Sequence, residues 1–300
     1  MKTEPSEVSL ISQLEAWLPD GQHYPPGLYL VATPIGNLGD ITLRALYVLH
    51  KADIVLCEDT RVTRKLLSAY GISARTLAYH EHNAARMHGQ VIEHLASGKR
   101  IAVVSDAGTP LISDPGFGLV QAAYDAGHAV TSLPGASSVT TALTLAGLPA
   151  EPFLFAGFLP PKATARRKAA DDLAAIPATL VLLEAPHRLD ATLKTLAEAL
   201  GNRPAAILRE LTKRHEEAHR APLAELAAHY DQEGNPKGEI VLVIAPPVPK
   251  IATDADLDAT LKAALACLSV KEASQQVAEE LRLPRKQVYA RALELKDAVE

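Results

Sequence analysis

The run Ser105-Asp106-Ala107-Gly108-Thr109-Pro110-Leu111-Ile112-Ser113-Asp114-Pro115-Gly116 gathers a carboxylate, hydroxyls and glycines directly behind an apolar stretch, Ile101-Ala102-Val103-Val104. That stretch has the pattern of a buried parallel strand, and a helical pattern at 116–126 follows the loop. In open α/β sheets, ligands sit beyond the carboxyl ends of strands. The loop is expected to offer the Asp106 carboxylate together with free amides at Ala107 and Gly108. Such a mixture suits a ligand carrying both an ammonium and a carboxylate. A bare phosphate suits it less well, because Asp106 would repel it.

Two more strand ends carry loops of this kind. Thr33-Pro34-Ile35-Gly36-Asn37-Leu38-Gly39-Asp40 follows Leu28–Ala32. Its glycines permit close approach of a ligand, and Asp40 is the expected cap of a helix from Ile41. The loop lacks the three-glycine spacing of a dinucleotide fingerprint, so a plain tight turn is the alternative. Pro134-Gly135-Ala136-Ser137-Ser138 follows Ala129–Leu133 and opens a helix whose first amides can hold an anionic group. Glu58 and Asp59 end the second strand, and His80, Glu81 and His82 follow the third. These groups could act as acids or bases; they could equally be helix caps or partners of Arg61 and Arg64.

The elements that position these loops alternate regularly. Strand patterns at Leu28–Ala32, Asp53–Cys57, Thr76–Tyr79, Ile101–Ser105 and Ala129–Leu133 are separated by helical patterns at 41–51, 60–70, 83–97, 116–126 and 136–146. That order predicts a doubly wound, mostly parallel sheet. Beyond Pro149 and Pro152, strands at Phe153–Phe158, Thr179–Glu184, Ala205–Glu210 and Glu239–Ile244 form a second α/β unit. Pro246-Pro247-Val248-Pro249 is a stiff linker, and 255–298 read as helical. The expected organisation is an N-terminal extension (1–27), two α/β domains (28–150 and 151–247) and a small helical module (251–300).

With 300 residues, 48% of them apolar, the chain can bury more than one core. A net charge of −5 excludes a global basic field, so any nucleic-acid contact must use local patches. Cys57 and Cys267 form no disulfide framework. The acidic start (Glu4, Glu7, Glu15, Asp20) does not resemble a signal peptide, and no 18-residue apolar run is present. A cytoplasmic protein without membrane contact is expected.

Thr33–Ala45, Glu58-Asp59-Thr60-Arg61, His80-Glu81-His82-Asn83, the Ser105–Gly116 run, Glu184-Ala185-Pro186-His187-Arg188, Arg209-Glu210-Leu211-Thr212-Lys213 and Lys237-Gly238-Glu239 occur in this order. Together they resemble the bacterial 16S ribosomal RNA cytidine 2′-O-methyltransferases of the tetrapyrrole methylase superfamily. Ala185 stands where that family more usually has Ser, and Val62 where it has His. The resemblance implies S-adenosylmethionine (SAM) bound between two α/β domains, a homodimer, and a cytidine of 16S rRNA in the small ribosomal subunit as substrate.

On that resemblance, Asp106 pairs with the SAM ammonium, and amides of Ala107, Gly108 or the Ser137-Ser138 turn take its carboxylate. Pro34, Gly36 and Ile112 complete the first-domain side, while backbone near Leu211-Thr212 and Pro236-Lys237-Gly238 covers the adenine. Methyl transfer to a ribose hydroxyl needs in-line placement and is helped by a base. Asp59 is the preferred base or hydroxyl orienter and Arg61 the phosphate clamp, with Glu58 and His82 as further catalytic candidates. No metal is expected.

RNA contact needs cations. Arg64 and Lys65 form one cluster with Arg61; Lys162, Arg166, Arg167 and Lys168 form another, and Arg188 stands further on. A solvated surface is the alternative for each. Lys271–Leu281 and Arg285–Leu295 flank a turn at Arg282-Leu283-Pro284, resembling a helix-turn-helix. Arg282, Arg285, Lys286 and Arg291 make it an RNA-docking candidate, with a packing module as the alternative. His215-Glu216-Glu217-Ala218-His219 matches a zinc-protease pattern, but Pro222 breaks the helix that pattern needs. Competing functions are a methylase of tetrapyrroles and a non-catalytic nucleic-acid-binding protein; binding of SAM separates the second from the enzymes.

Overall fold

A computed structural model describes residues 24–80, 83–113, 116–248, 254–281 and 283–297. The first half alternates β1 (Gly27–Val31), α1 (Leu43–Lys51), β2 (Ile54–Cys57), α2 (Thr60–Ala69), β3 (Thr76–Ala78), α3 (Ala84–Ala96), β4 (Arg100–Val104), α4 (Phe117–Asp125) and β5 (Val130–Leu133). The strands form one parallel sheet in the order β3-β2-β4-β1-β5. Successive strand residues point to opposite faces. Leu28, Ile54, Leu56, Ile101 and Val103 therefore pack with Val91 of α3 and Leu119 of α4. Tyr29, Val31, Val55, Ala102 and Val104 pack on the other face with Leu46 and Leu49 of α1 and Leu67 of α2. Each fully buried Leu or Ile contributes about 1.5–3 kcal/mol.

Asp40 is not the cap of α1. It lies in a short 3₁₀ turn, Leu38–Asp40, and Thr42 caps the helix by accepting the Ala45 N–H. Two intervening residues displace the helix start, so the hydroxyl at position 42 has the geometry that the carboxylate at 40 lacks.

The second half contains α5 (Ser138–Ala146), β6 (Phe153–Phe158), α6 (Ala163–Ala174), β7 (Thr179–Glu184), α7 (Leu189–Leu200), β8 (Pro204–Arg209), β9 (Glu217–Pro222), α8 (Leu223–Glu233) and β10 (Ile240–Ile244). The sheet order is β6-β7-β10-β8-β9. Only β6 and β7 pair in parallel; the other pairs are antiparallel. Leu180, Leu182, Ile207 and Leu242 pack under α6, α7 and α8. Val181, Leu208, Val241 and Val243 on the opposite face meet Val139, Ala142 and Leu143 of α5, with Ile35 beside them. The helix that alternation places with the first sheet thus seals the second.

Strand β9 is missing from the sequence reading. It occupies the second half of the His215–His219 stretch, paired with β8, so that stretch is turn and strand rather than helix. The described residues from Val248 onward form a compact unit of their own. There α9 (Asp254–Leu265), α10 (Val270–Leu281) and α11 (Arg285–Asp297) enclose Leu257, Leu261, Val277, Val288 and Ala292. No helix among the described residues is long and apolar enough to cross a membrane.

Candidate active site

Four strand-end loops of the first sheet are tied to one another. Thr33 and Gly108 exchange both backbone hydrogen bonds, at 2.9 and 3.0 Å, an isolated antiparallel bridge that joins the loops after the parallel pair β1 and β4. The buried Thr33 hydroxyl donates to the Ser105 carbonyl at 3.0 Å. The Ala107 N–H donates to Ser105 Oγ at 3.2 Å, and Ser105 Oγ donates to the Ala107 carbonyl. The amides of Ala107 and Gly108 are therefore taken, contrary to expectation. A turn covered by neighbouring loops must pair its own backbone groups.

The Asp106 carboxylate remains exposed to a ligand. Its Oδ1 accepts the Asp59 N–H at 3.3 Å, while Oδ2 has no hydrogen-bond partner among the described residues. Thr109 Oγ1 donates to the Ala136 carbonyl at 3.2 Å, adding the loop after β5. Ser137 precedes α5 and makes no side-chain cap bond, so the first amides of that helix keep their anion-binding capacity. Leu111 and Ser113 hold left-handed backbone at φ 71° and 65°, and between them Ile112 is 49% exposed. Left-handed conformations are costly for residues other than glycine and gather at ligand sites.

The second half reaches this cluster through the turn after β8. A Cβ at Gly36 would lie 2.4 Å from Lys213 Cγ and 2.9 Å from both the Leu211 carbonyl and Thr212 Oγ1. Gly36 thus admits the chain's own turn, not directly a ligand as its loop suggests. Glu210 and Thr212 are left-handed, at φ 52° and 64°. Glu210 Oε1 accepts the Glu239 N–H at 2.9 Å, and Lys213 Nζ bridges Glu210 and Glu239 at 2.9 and 3.1 Å. Burial opposes the Lys213 charge, but the two carboxylates outweigh it and raise its pKa. Thr212 Oγ1 is buried without a partner among the described residues. The Leu211 side chain belongs to the core, so only its backbone can meet a ligand. Gly238, at φ 102°, packs against Glu210, and Pro236 is half-buried. Pro34 is buried beneath the first loop.

Asp59 caps α2 by accepting the Arg61 N–H at 2.7 Å, and it chelates the Arg61 guanidinium through contacts of 2.7 to 3.2 Å. These bonds hold its carboxyl at about 2. A carboxylate that acidic is a weak base at neutral pH, which favours the orienting role. Glu58 is exposed. His82 and Glu81 lie outside the described residues. His80, half-buried, has its N–H bonded to Asn83 Oδ1 at 2.9 Å.

The expected RNA cations divide. Arg166 is 8% exposed and bonds Thr195 Oγ1 and the Pro161 carbonyl. Arg188 donates to the Leu159 carbonyl and pairs with Glu184, whose side chain is 1% exposed. Both are withdrawn from the surface by buried acceptors that require them. Arg167 pairs with Asp171 and Glu198, and Arg64 bonds Thr76. Lys65, Lys162, Lys168, Arg285 and Lys286 are exposed and make no ion pair among the described residues. Arg282 lies outside the described residues.

The sequence reading placed the backbone near Leu211-Thr212 over the adenine but missed the Thr212 hydroxyl and the Glu210–Lys213–Glu239 network. A lone Thr in a charged turn carries no signal until the turn is seen against Gly36.

Residues 27–227 match the family described as Tetrapyrrole (Corrin/Porphyrin) Methylases, and 251–296 match the RsmI C-terminal HTH domain. The chain is 50% identical over 273 residues to a Mesorhizobium japonicum protein named ribosomal RNA small subunit methyltransferase I, covering 91% of this chain and 93% of that one. An Escherichia coli O157:H7 protein of the same name is 44% identical, covering 89% and 94%. A solved uroporphyrin-III C-methyltransferase from Thermus thermophilus, complexed with S-adenosylhomocysteine, shares the fold at a TM-score of 0.52 and 21% identity. It covers 73% of this chain and 97% of that one.

Proposed function

This chain belongs to the tetrapyrrole methylase family, among its SAM-dependent ribosomal RNA small subunit methyltransferases I, and we propose that it methylates the ribose 2′-oxygen of a cytidine in 16S rRNA. The relatives' names support the RNA; the ribose oxygen and the cytidine are the finer reading. The observation that carries it is the tying together of four first-sheet loops, one of which meets the Leu211–Lys213 turn at Gly36.

The residues there fit SAM. Asp106 Oδ2 is an unsatisfied acceptor suited to an ammonium, and charge-assisted bonds of this type are among the stronger ones. The opening amides of α5, at Ser138, suit its carboxylate beside Ser137. Thr212 Oγ1 is an orphaned polar atom in the turn that would cover the adenosine; Gly36 seats that turn, the Leu211 backbone faces the ligand, and Pro34, Ile112, Pro236 and Gly238 are the further residues proposed around it. When bound, SAM supplies an activated methyl group on a sulfonium.

The chain's own residues then position the acceptor. Asp59 accepts a hydrogen bond from the ribose hydroxyl and sets its line of approach, while Arg61 offers the remaining guanidinium edge to a neighbouring phosphate. Because Asp59 is so weak a base, the proton leaves to water. Orientation can supply effective molarities of about 10⁵ M or more. Lys65, Lys162, Lys168, Arg285 and Lys286 provide phosphate contacts, which position the RNA without reading its sequence. The working unit is a homodimer acting on the small subunit.

The test is incubation with SAM labelled in the methyl group, offered small ribosomal subunits or a uroporphyrinogen. Label in 16S rRNA supports the proposal. Label in the tetrapyrrole alone overturns it.

A further inference from the structure

The exposed flank of α11 joins cations to an aromatic ring. At 100° per residue, Arg285, Lys296, Tyr289, Leu293 and Lys286 fall between about 60° and 160° around the helix from Val288. Val288 and Ala292 are buried in the core of this unit. Tyr289 and Leu293 are 42% and 41% exposed, although both are large and apolar. Arg285, Lys286 and Lys296 are exposed, and none makes an ion pair among the described residues. Arg291 differs: Asp258 chelates it at 2.6 and 2.7 Å, Glu294 holds it at 2.6 Å, and it lies on the opposite flank. Exposed carboxylates gather elsewhere in the unit, at Glu272, Glu279 and Glu280 on α10.

We propose that this flank of α11 docks single-stranded RNA, with Tyr289 stacking on a base and Arg285 and Lys286 on the flanking phosphates. The proposal rests on the RNA reading above and adds the Tyr289 base contact and the form of the RNA. Cations flanking an aromatic plane make the combination by which single strands are held, phosphate by charge and base by stacking. A-form duplex offers a major groove too deep and narrow for side chains to read, whereas loops present unstacked bases. An acidic protein would satisfy the cations but has no base for the Tyr289 plane. Leu293 extends the apolar platform by one turn, toward Lys296.

The experiment uses the full chain and small ribosomal subunits that lack the modification, with binding measured at several salt concentrations. Tyr289→Ala should weaken binding roughly 5- to 150-fold, and Tyr289→Phe should stay within about twofold of the parent. Arg285→Gln with Lys286→Gln should flatten the dependence of log K on log salt by about 1.4, two single-strand phosphate contacts. Gln287→Ala, on the other flank, should match the parent. SAM affinity and thermal melting should not move in any variant. Parent-like affinity and salt slope in folded Tyr289→Ala and in the double variant would overturn the proposal. So would a change in oligomeric state with RNA affinity intact, which would make the flank a protein contact. If the parent chain itself neither binds nor methylates subunits, the RNA reading fails; if it does both and the variants match it, this proposal alone fails.

Discussion

Asp106 Oδ1 accepts the backbone N–H of Asp59 at 3.3 Å, so a single carboxylate ties the loop after β4 to the loop after β2. The free oxygen of that carboxylate faces the proposed ammonium site, and the tied loop presents the Asp59–Arg61 pair. The proposed cofactor and acceptor sites therefore share Asp106.

Asp106→Ala should weaken SAM binding about 10- to 150-fold, the worth of a hydrogen bond to a charged group (about 1.5–3 kcal/mol). Asp106→Asn keeps an acceptor for the Asp59 N–H but loses the charge. It should bind SAM as poorly as the Ala variant while retaining the parent's melting temperature. Calorimetry with SAM and a thermal melt check both; parent-like affinity in either folded variant would remove Asp106 from the ammonium site.

Gly36→Ala should separate the first loop from the Leu211–Lys213 turn, because the new Cβ would lie 2.4 Å from Lys213 Cγ and 2.9 Å from a carbonyl. Overpacking of this kind costs about 1–3 kcal/mol, and SAM affinity should fall with stability. Gly89→Ala, which meets nothing within 4 Å on a helix, serves as the comparison and should be neutral or slightly stabilising. Equal melting and SAM affinity in the two variants would contradict the contact.

The Asp59 carboxyl, held at about 2 by Arg61, stays ionised throughout the neutral range. Its folded pKa is depressed, so the stability it contributes is present above the unfolded value near 3.9 and is lost as pH falls toward 2. The ratio of kcat/KM between the parent and Asp59→Asn should therefore be constant from pH 6 to 9. A ratio that changes with pH in this range would show the carboxyl titrating there, against its being held near 2 by Arg61.

Arg166→Ala and Arg188→Ala should lower stability without changing the salt dependence of RNA binding. Removing one partner of a buried pair such as Glu184–Arg188 costs about 3–5 kcal/mol. Lys162→Gln with Lys168→Gln should do the reverse, flattening the salt dependence at constant melting temperature. Denaturant titration and binding at two salt concentrations distinguish the pairs.

The middle of the parallel sheet was legible because β1, β2 and Ile101–Val104 of β4 are continuous, almost wholly buried apolar runs, and in the second sheet Phe153–Phe158 and Thr179–Glu184 match β6 and β7 end to end. β9 was not, because Glu217-Ala218-His219-Arg220 has the composition of a surface helix and is a strand only through its pairing with β8. The site divides in the same way. Asp106 could be placed from its position after a strand. The capture of the Ala107 and Gly108 amides depends on Ser105 and Thr33, the latter distant in sequence, and the burial of Arg166 and Arg188 depends in part on Thr195 Oγ1 and the Leu159 carbonyl, each 29 residues away. A cation's type is written in the sequence; whether water or a carbonyl holds it is decided by packing.

The most direct measurement is mass spectrometry of nucleosides released from 16S rRNA after unmodified small subunits are incubated with the purified chain and SAM. The account expects one 2′-O-methylcytidine per 16S molecule, dependent on SAM and abolished in Asp106→Ala at limiting SAM. A methyl group on a base, or no methylated nucleoside from an enzyme that binds both SAM and subunits, would contradict it.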